Sequence, residues 1–212
     1  MTPAARLEEG LHALGLELSA PAQEKLLAYL ALLRKWNRAY NLTAVDDPER
    51  MVSHHLLDSL AVVPVLERAA SGVRRLADIG SGAGLPGIPL AVARPEWQLV
   101  LVEPNGKKAA FLRQATIELG LANAQVVEQR AERWHPEAGF EVVISRALAD
   151  LSDFAAAAGH LCAPGGMLAA MKGVHPDDEL AQLPVGVRVE DVAALEVPGL
   201  DARRHLVIMR VS

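Results

Sequence analysis

Apolar residues in the first seventy positions recur at the spacing of amphipathic helices. One such face contains Leu26, Leu30, Leu33 and Trp36. Ser19 followed by Pro21 predicts the start of this helix, since serine caps helix N-termini and proline is tolerated in the first turn. Asp47 and Pro48 predict a second helix start, ahead of an apolar stretch over residues 51–66. The N-terminal part is therefore predicted to be helical.

From Arg74 onward the pattern changes to short apolar runs that alternate with helical segments. The predicted strands are 76–79, 98–102, 124–128, 140–144 and 167–171, with a closing pair at 187–198 and 204–211. Helices are predicted after the first strand to about 93, over 106–119 and over 150–161, and a turn at 163–166. Alternation of this kind predicts an α/β fold with a parallel, doubly wound sheet. We place the domain boundary at Ser71-Gly72, with a helical domain over 1–71 and the sheet domain over 72–212.

The glycine loop, residues 80–84 with the sequence Gly-Ser-Gly-Ala-Gly, follows the first predicted strand directly. Glycine lets the backbone approach a ligand without a clash from Cβ, and the next helix offers its N-terminal amides. In an open parallel sheet, ligands bind at the carboxyl ends of the strands. Pro86 and Pro89 are both expected in the first turn of that helix, where proline is tolerated. This segment predicts a cofactor site.

Two cofactor classes compete for the glycine loop. Residues 82–87 satisfy the dinucleotide pattern G-x-G-x-x-G, and Glu103 follows at about the expected twenty residues. In that frame, however, Gly80-Ser81 would be poor strand sequence. Asp78 is also unexpected in the first strand of a dinucleotide site, because that strand is buried on both faces. An acid at this position suits S-adenosylmethionine, whose sulfonium and ammonium groups are positively charged. Asp78, the three glycines and Glu103 together favour S-adenosylmethionine over a nicotinamide cofactor.

Basic residues follow the carboxyl ends of the later strands. Arg130, Arg146 and Lys172 each follow one strand, and Lys107 and Lys108 lie in a helix's first turn, where the dipole disfavours cations. Topology should bring them to the edge that carries the glycine loop. For Arg146 we favour a functional role, and for Lys108 a solvated surface charge. The single cysteine, Cys162, weakly indicates a reducing compartment.

Composition and motifs exclude several classes. The net charge of −5 excludes a uniformly basic nucleic-acid-binding surface, so RNA contact would use a local patch. Neither a signal peptide nor a membrane-spanning segment is predicted, and the seven histidines show no metal-ligand spacing. After the fourth strand the chain has Ser-Arg-Ala-Leu at 145–148, which is neither an exocyclic-amine methylation turn nor a Pro-Cys nucleophile. A target atom with a free lone pair, such as a ring nitrogen, is expected.

Several motifs together resemble the bacterial ribosomal RNA small subunit methyltransferase G family, also called glucose-inhibited division protein B. They are Lys35-Trp36-Asn37, Asn41-Leu42-Thr43, His55-Leu56-Leu57-Asp58-Ser59, the segment 78–89, Gly106-Lys107-Lys108, Phe111-Leu112, Ile144-Ser145-Arg146-Ala147, Lys172-Gly173 and Arg204-His205-Leu206-Val207. The resemblance runs from about Leu33 to the C-terminus. It implies a Rossmann-like methyltransferase domain behind a small helical domain, and methylation of N7 of a guanine in the decoding-region loop of 16S rRNA.

The resemblance also implies roles for individual residues. S-adenosylmethionine is expected to contact Asp78, Gly80, Ser81, Gly82, Gly84, Leu85, Glu103, Ala131, Glu132 and Arg146. RNA is expected to contact Lys107, Arg130, Lys172, Arg204, Asn41 and His55. Asn41 and His55 could equally brace the helices. Arg146 is the expected catalytic residue, placed by the methionine end and the base, and no metal is expected.

Rival functions remain open at this point. They are a small-molecule methyltransferase, a nicotinamide-dependent oxidoreductase and an RNA-binding scaffold with a vestigial cofactor site. The acidic composition mildly favours the first, and the basic edge opposes it. The favoured interpretation is a monomeric cytoplasmic enzyme whose partner is 16S rRNA or the small ribosomal subunit.

Overall fold

The computed structural model describes residues 1–70, 72–146 and 150–211. The N-terminal part is helical, as predicted. Its elements are α1 (Pro3–Ala13), α2 (Ala20–Tyr40), α3 (Pro48–Met51), a π-helical stretch (Val52–Leu57), α4 (Asp58–Leu60) and α5 (Val63–Ala69). Both predicted helix starts are confirmed, because Ser19 Oγ accepts the amide of Ala22 and Asp47 Oδ1 accepts that of Arg50.

A seven-stranded sheet forms the rest of the core, in the order β3-β2-β1-β4-β5-β7-β6. The strands are β1 (Arg75–Ile79), β2 (Gln98–Val102), β3 (Ala124–Val127), β4 (Phe140–Arg146), β5 (Cys162–Lys172), β6 (Val187–Ala194) and β7 (His205–Val211). β1 to β5 are parallel, and β7 pairs antiparallel with β5 and β6. The predicted α/β class and the closing pair of strands are confirmed.

Helices cover the crossovers of the sheet. They are α6 (Gly87–Ala93), α7 (Gly106–Glu118), α8 (Leu151–Ala158) and α9 (Asp177–Leu180), with 3₁₀ turns at Ala131–Arg133 and Gly159–Leu161. Pro89 lies in the first turn of α6, as expected, whereas Pro86 precedes the helix. Among the described residues, none of the helices combines the length and the apolarity needed to span a bilayer.

The predicted turn at 163–166 is wrong in one respect, because these residues lie within the span of β5. Cys162 pairs with Phe140 and Met167 pairs with Val142, so an irregularity in register separates the two pairs. Gly165 adopts a φ of +74°, which lets the chain bulge without leaving the sheet. The segment 163–166, which contains one proline and two glycines, therefore forms a bulge within β5 and does not end the strand.

The N-terminal helices share one apolar core with a face of the sheet. Leu33 and Leu57 belong to the same buried cluster as Leu101 and Ile144, together with residues of α6 and α7. The opposite sheet face packs a second cluster, which includes residues of α8. The boundary at 71/72 stays a prediction; Gly72, in a turn before β1, is described, and Ser71 lies outside the described residues.

Candidate functional site

The glycine loop turns sharply away from the carboxyl end of β1. Gly80, Gly82 and Gly84 have φ values of +67°, +57° and +86°, a region that residues with a Cβ rarely occupy. The amides of Gly80 and Ser81 both donate to the carbonyl of Val102, at 2.9 and 3.1 Å. Ser81 Oγ donates to the carbonyl of Asp78 at 2.8 Å. The loop is therefore anchored to the ends of β1 and β2.

Asp78 lies fully buried beneath the glycine loop. Its Oδ2 accepts the amide of Gly87, the first residue of α6, at 3.0 Å, while its Oδ1 has no hydrogen-bond partner among the described residues. Burial raises the pKa of the Asp78 carboxyl to about 7. A Cβ on Gly87 would stand 2.7 Å from Asp78 Oδ2 and closer still to the Leu101 side chain, so a larger residue there would force both side chains to shift. Asp78 thus joins the loop to α6.

Glu103 follows β2 and is only 4% exposed. Its Oε2 accepts the amide of Gly82 and its Oε1 accepts that of Asn105, both at 2.8 Å. Each carboxylate oxygen has two lone pairs, so one remains on each for a ligand hydroxyl. The pairing of Glu103 with the glycine loop that the sequence predicted is therefore present.

Tyr29 of α2 contacts the glycine loop from the N-terminal part, and sequence reasoning missed it. Its hydroxyl donates to the carbonyl of Ala83 at 2.6 Å, and the side chain is fully buried. Burial raises the pKa of this phenol above its usual range. Tyr29 lies on the same buried face of α2 as Leu26 and Leu33. In the sequence, a tyrosine at this spacing cannot be distinguished from an ordinary core residue.

Arg146 ends β4 at the same edge of the sheet. Asp78 is in register with Ile144, so Arg146, two residues further along β4, lies past the last paired position of β1 and on the sheet face of Asp78. Its Nη1 donates to Asp58 Oδ2 at 3.0 Å and to the carbonyl of His54 at 3.1 Å. The predicted proximity of Arg146 to the glycine loop is therefore present. Ala147 and Leu148 lie outside the described residues.

Asp58 is the centre of a small cluster of charges. Its Oδ1 accepts Arg204 Nε at 2.8 Å while its Oδ2 is paired with Arg146, and its side chain is 2% exposed. Arg204 reaches this edge because it precedes β7, whose first residue, His205, pairs with Lys172 at the end of β5. The motif around Asp58 was noticed in the sequence, but its link to two arginines was not.

A pocket of about 320 Å³ opens beside this cluster. It is lined by Asp58, Arg146, Met171, Lys172, Gly173 and Arg204. Lys172 Nζ is paired with Glu179 Oε2 at 2.6 Å. The structure thus brings together three of the predicted cations, each of them in contact with a carboxylate.

The remaining predicted RNA-contacting residues lie in different surroundings. Lys107 and Arg130 are exposed, at the ends that follow β2 and β3, and Asn41 is exposed as the left-handed C-cap of α2. His55 is 3% exposed, and its Nε2 is 3.0 Å from Thr43 Oγ1. Burial lowers the pKa of His55 to about 4. For His55 the structure therefore supports bracing of the segment after α2 rather than contact with RNA.

The last predicted cofactor residues surround the glycine loop and β3. Leu85 is buried at the start of the path into α6, Ala131 is buried in the 3₁₀ turn after β3, and Glu132 is exposed beside it. In the described ranges 1–70, 72–146 and 150–211, no three or more His, Cys, Asp or Glu side chains form a group able to hold a metal ion.

The glycine loop fits an adenosyl cofactor by two tests. A Cβ built on Gly80 meets no atom of the described residues within 4 Å, so these residues leave open the space in front of the loop where the sequence places the ligand. Asp78 Oδ1 is buried close to the same loop, and no residue in the described part of the chain hydrogen-bonds to it. Together with the free lone pairs of Glu103, these features suit a ligand with vicinal hydroxyls and positive charge.

Comparison with known proteins identifies close relatives. A profile of the family described as rRNA small subunit methyltransferase G matches residues 22–207. The ribosomal RNA small subunit methyltransferase G of Nitrosospira multiformis is 55% identical over 217 aligned positions, covering 99% of this chain and 98% of the relative. That of Aromatoleum aromaticum is 55% identical over 210 positions, covering 97% and 98%.

Solved structures with low sequence identity share the fold. A SAM-dependent methyltransferase from Aquifex aeolicus superposes with a TM-score of 0.59 at 18% sequence identity. The superposition covers 81% of this chain and 97% of the Aquifex chain. The glycopeptide N-methyltransferase MtfA, solved with S-adenosyl-L-homocysteine, gives a TM-score of 0.60 at 12% identity, covering 73% and 87%. The fold is therefore that of Rossmann-like methyltransferases. With the profile match and the near full-length relatives, the chain belongs to the rRNA small subunit methyltransferase G family.

Proposed function

We propose that this protein transfers a methyl group from S-adenosyl-L-methionine to N7 of a guanine in the decoding-region loop of small-subunit rRNA. The observation that carries the proposal is the position of Arg146. It lies at the carboxyl edge of the sheet, where the glycine loop leaves β1, and it also lines the pocket beside Asp58. A cofactor bound at the loop and a base bound at the pocket would therefore meet at one edge of the sheet, in a member of an rRNA methyltransferase family.

The cofactor end of the site is assigned to the glycine loop and Glu103. Glu103 would accept the ribose hydroxyls, since its two oxygens are already held in place by the amides of Gly82 and Asn105. Gly80 and Gly82 leave room for the ligand because they lack Cβ atoms. Ala131 and Glu132 are assigned to the adenine neighbourhood, and Asp78 to the charge balance behind the loop. When bound, the cofactor supplies an electrophilic sulfonium methyl group.

The reaction at N7 needs positioning more than proton transfer. Guanine N7 has a lone pair and no proton, so its methylation would require no general base from this chain. The residues of the site would instead contribute by positioning the cofactor and the base against each other, an effect worth roughly several kcal/mol. Arg146 would orient a neighbouring guanine acceptor or phosphate, because the product base gains positive charge and a cation at N7 itself would oppose it.

The RNA-binding surface is assigned to the carboxyl edge of the sheet. Arg130 and Lys107 are exposed there, and Arg146, Lys172 and Arg204 line the pocket. Contacts to phosphates by such a local patch would make the affinity for RNA fall with salt. Asn41 is exposed and remains a candidate contact. The small-subunit rRNA is the partner proposed here, and we infer a monomer that acts in the cytoplasm, with no membrane association.

The proposal is tested by mapping 7-methylguanosine in 16S rRNA from cells with and without this gene, and in rRNA treated with the purified protein and labelled cofactor. The expected result is one guanine that loses its methyl group without the gene and regains it in the treated rRNA. Unchanged methylation would overturn the proposal. The rivals give different results. An oxidoreductase would bind NAD(P) in a calorimetric titration and would transfer no label to RNA. A scaffold would bind RNA without labelling it. The relatives' names do not favour a small-molecule methyltransferase.

A further inference from the structure

We propose that Asp58 is a positioning residue, which holds Arg146 and Arg204 in place for the RNA substrate. This inference rests on the proposed function and adds a residue to it. Asp58 comes from the helical part of the chain, whereas both arginines come from the edge of the sheet. The carboxylate uses one oxygen for each arginine, at 3.0 and 2.8 Å. Each arginine also donates to one backbone carbonyl, Arg146 to that of His54 and Arg204 to that of Arg203, and Asp58 contacts both arginines.

The burial of Asp58 makes this arrangement specific. Its side chain is 2% exposed, while those of Arg146 and Arg204 are each 25% exposed. The carboxylate is therefore hidden from RNA, whereas the two arginines are partly exposed and line the pocket. A guanidinium has five N–H donors in a fixed plane, so anchoring one side determines where the others point. Asp58 thus acts on the substrate through the arginines.

The charge balance of the cluster leads to an unusual expectation. One carboxylate paired with two guanidiniums leaves a net charge of +1 at this point of the pocket. Removing the carboxylate would raise that to +2 and would strengthen the attraction for phosphate. The same change would release the arginines from their fixed orientation, so catalysis would suffer. Loss of Asp58 should therefore lower kcat without weakening RNA binding.

The test uses Asp58→Asn in the full-length protein, with small ribosomal subunits and protein-free 16S rRNA from cells that lack the gene. We expect kcat to fall at least about tenfold, because misplacement of a positioning group costs that much or more. The affinity for 16S rRNA should be equal or higher, with a salt slope steeper by roughly 0.7–0.9. The affinity for S-adenosylhomocysteine, measured by calorimetry, should be unchanged.

The matched control is Glu67→Gln, which removes a carboxylate from an ion pair with Arg94 at the amino edge of the sheet. This variant should match the wild type in kcat, RNA affinity and salt slope. A wild-type kcat for Asp58→Asn would overturn the inference. So would a parallel loss of RNA affinity and kcat, which would indicate damage to the fold. An inactive wild-type protein would instead contradict the proposed function.

A second variant keeps the test informative if Asp58→Asn does not fold. Asp58→Glu retains the negative charge and moves the carboxylate by one methylene. We expect an RNA affinity and salt slope like those of the wild type, with a lower kcat, because the arginines follow the displaced carboxylate. A folded Asp58→Glu with wild-type kcat would overturn the inference.

Discussion

At the scale of single residues, the glycine loop depends on backbone conformations that side chains disfavour. Gly82 has a φ of +57°, and among the described residues a Cβ there would find only the carbonyl of Gly80 within 4 Å, at an ordinary contact distance. Steric conflict within the protein is therefore small, and the cost of a larger residue arises from backbone strain and from the space it removes from a ligand. Gly120, which follows α7, has a φ of +59° and equally open surroundings.

This pair of glycines offers a matched test of the cofactor site. Gly82→Val and Gly120→Val should each lower the free energy of unfolding by about 1–2 kcal/mol, since both place a side chain in the left-handed region. Only Gly82→Val should weaken S-adenosylhomocysteine binding, by more than roughly tenfold, or about 1.4 kcal/mol. Urea unfolding and calorimetric titration measure the two quantities. Unchanged affinity in folded Gly82→Val would contradict the placement of the cofactor.

Asp78 should make stability depend on pH. Burial raises the pKa of its carboxyl to about 7, compared with 3.8 for an ordinary aspartate, so the folded state binds a proton that the unfolded state has released. The contribution to stability is complete below about pH 4 and is lost as the pH rises to about 7, by up to about 1.4 kcal/mol per pH unit.

Asp78→Asn removes the titration and keeps an oxygen for the amide of Gly87. The difference in unfolding free energy, wild type minus Asp78→Asn, should therefore decrease between about pH 4 and pH 7 and level off above that range. Urea unfolding of both proteins at several pH values measures it, and the other carboxylates cancel in the difference. A constant difference across this range would show that Asp78 does not titrate there.

At the scale of secondary structure elements, helix α2 supports the glycine loop through Tyr29. Tyr29→Phe removes one hydroxyl and leaves the carbonyl of Ala83 without that donor. A lost partner for a buried polar group costs about 1–3 kcal/mol of unfolding free energy. We also expect weaker binding of S-adenosylhomocysteine, because the glycine loop loses the hydrogen bond that fixes Ala83 to α2.

The control for Tyr29 lies on the same helix. Tyr40, the other tyrosine of the chain, is 42% exposed at the end of α2. Tyr40→Phe should stay within about 0.5 kcal/mol of the wild type in stability, as surface changes usually do, with the same cofactor affinity. If Tyr29→Phe behaved like Tyr40→Phe in both urea unfolding and calorimetry, the support of the loop by α2 would be refuted.

The sequence predicted most elements because their signals are local. The caps Ser19 and Asp47, and the apolar run of β2, each reflect interactions within a few residues. The bulge at 163–166 was missed because it depends on the partner strand, β4, that the segment pairs with. The π-helical stretch that carries His55 was missed for a different reason. The spacing of its apolar residues is close to that of an α-helix, so the sequence pattern does not distinguish the two.

At the scale of the whole molecule, the distribution of charge matters more than its sum. The net charge is −5, yet Arg130 is exposed at the carboxyl edge of the sheet and Arg74 at the amino edge, just before β1. Arg130→Gln should lower the affinity for 16S rRNA and make its salt slope shallower by roughly 0.7–0.9. Arg74→Gln should change neither. Equal effects of the two variants in filter-binding titrations across salt concentrations would indicate non-specific attraction instead of a binding edge.

The sequence alone determined, in outline, the glycine loop and the acid beside it, which form the site proposed for the cofactor. Glycines at alternate positions after a strand, and an acid at the end of the next strand, specify a loop geometry that short-range backbone preferences enforce. Only the tertiary structure decided how the helical part meets that site. Tyr29 contacts Ala83 across 54 positions, and Asp58 contacts Arg146 and Arg204 across 88 and 146. Such pairs leave no periodic signal in the chain, because a buried partner is chosen by the packing of whole elements rather than by its neighbours in sequence.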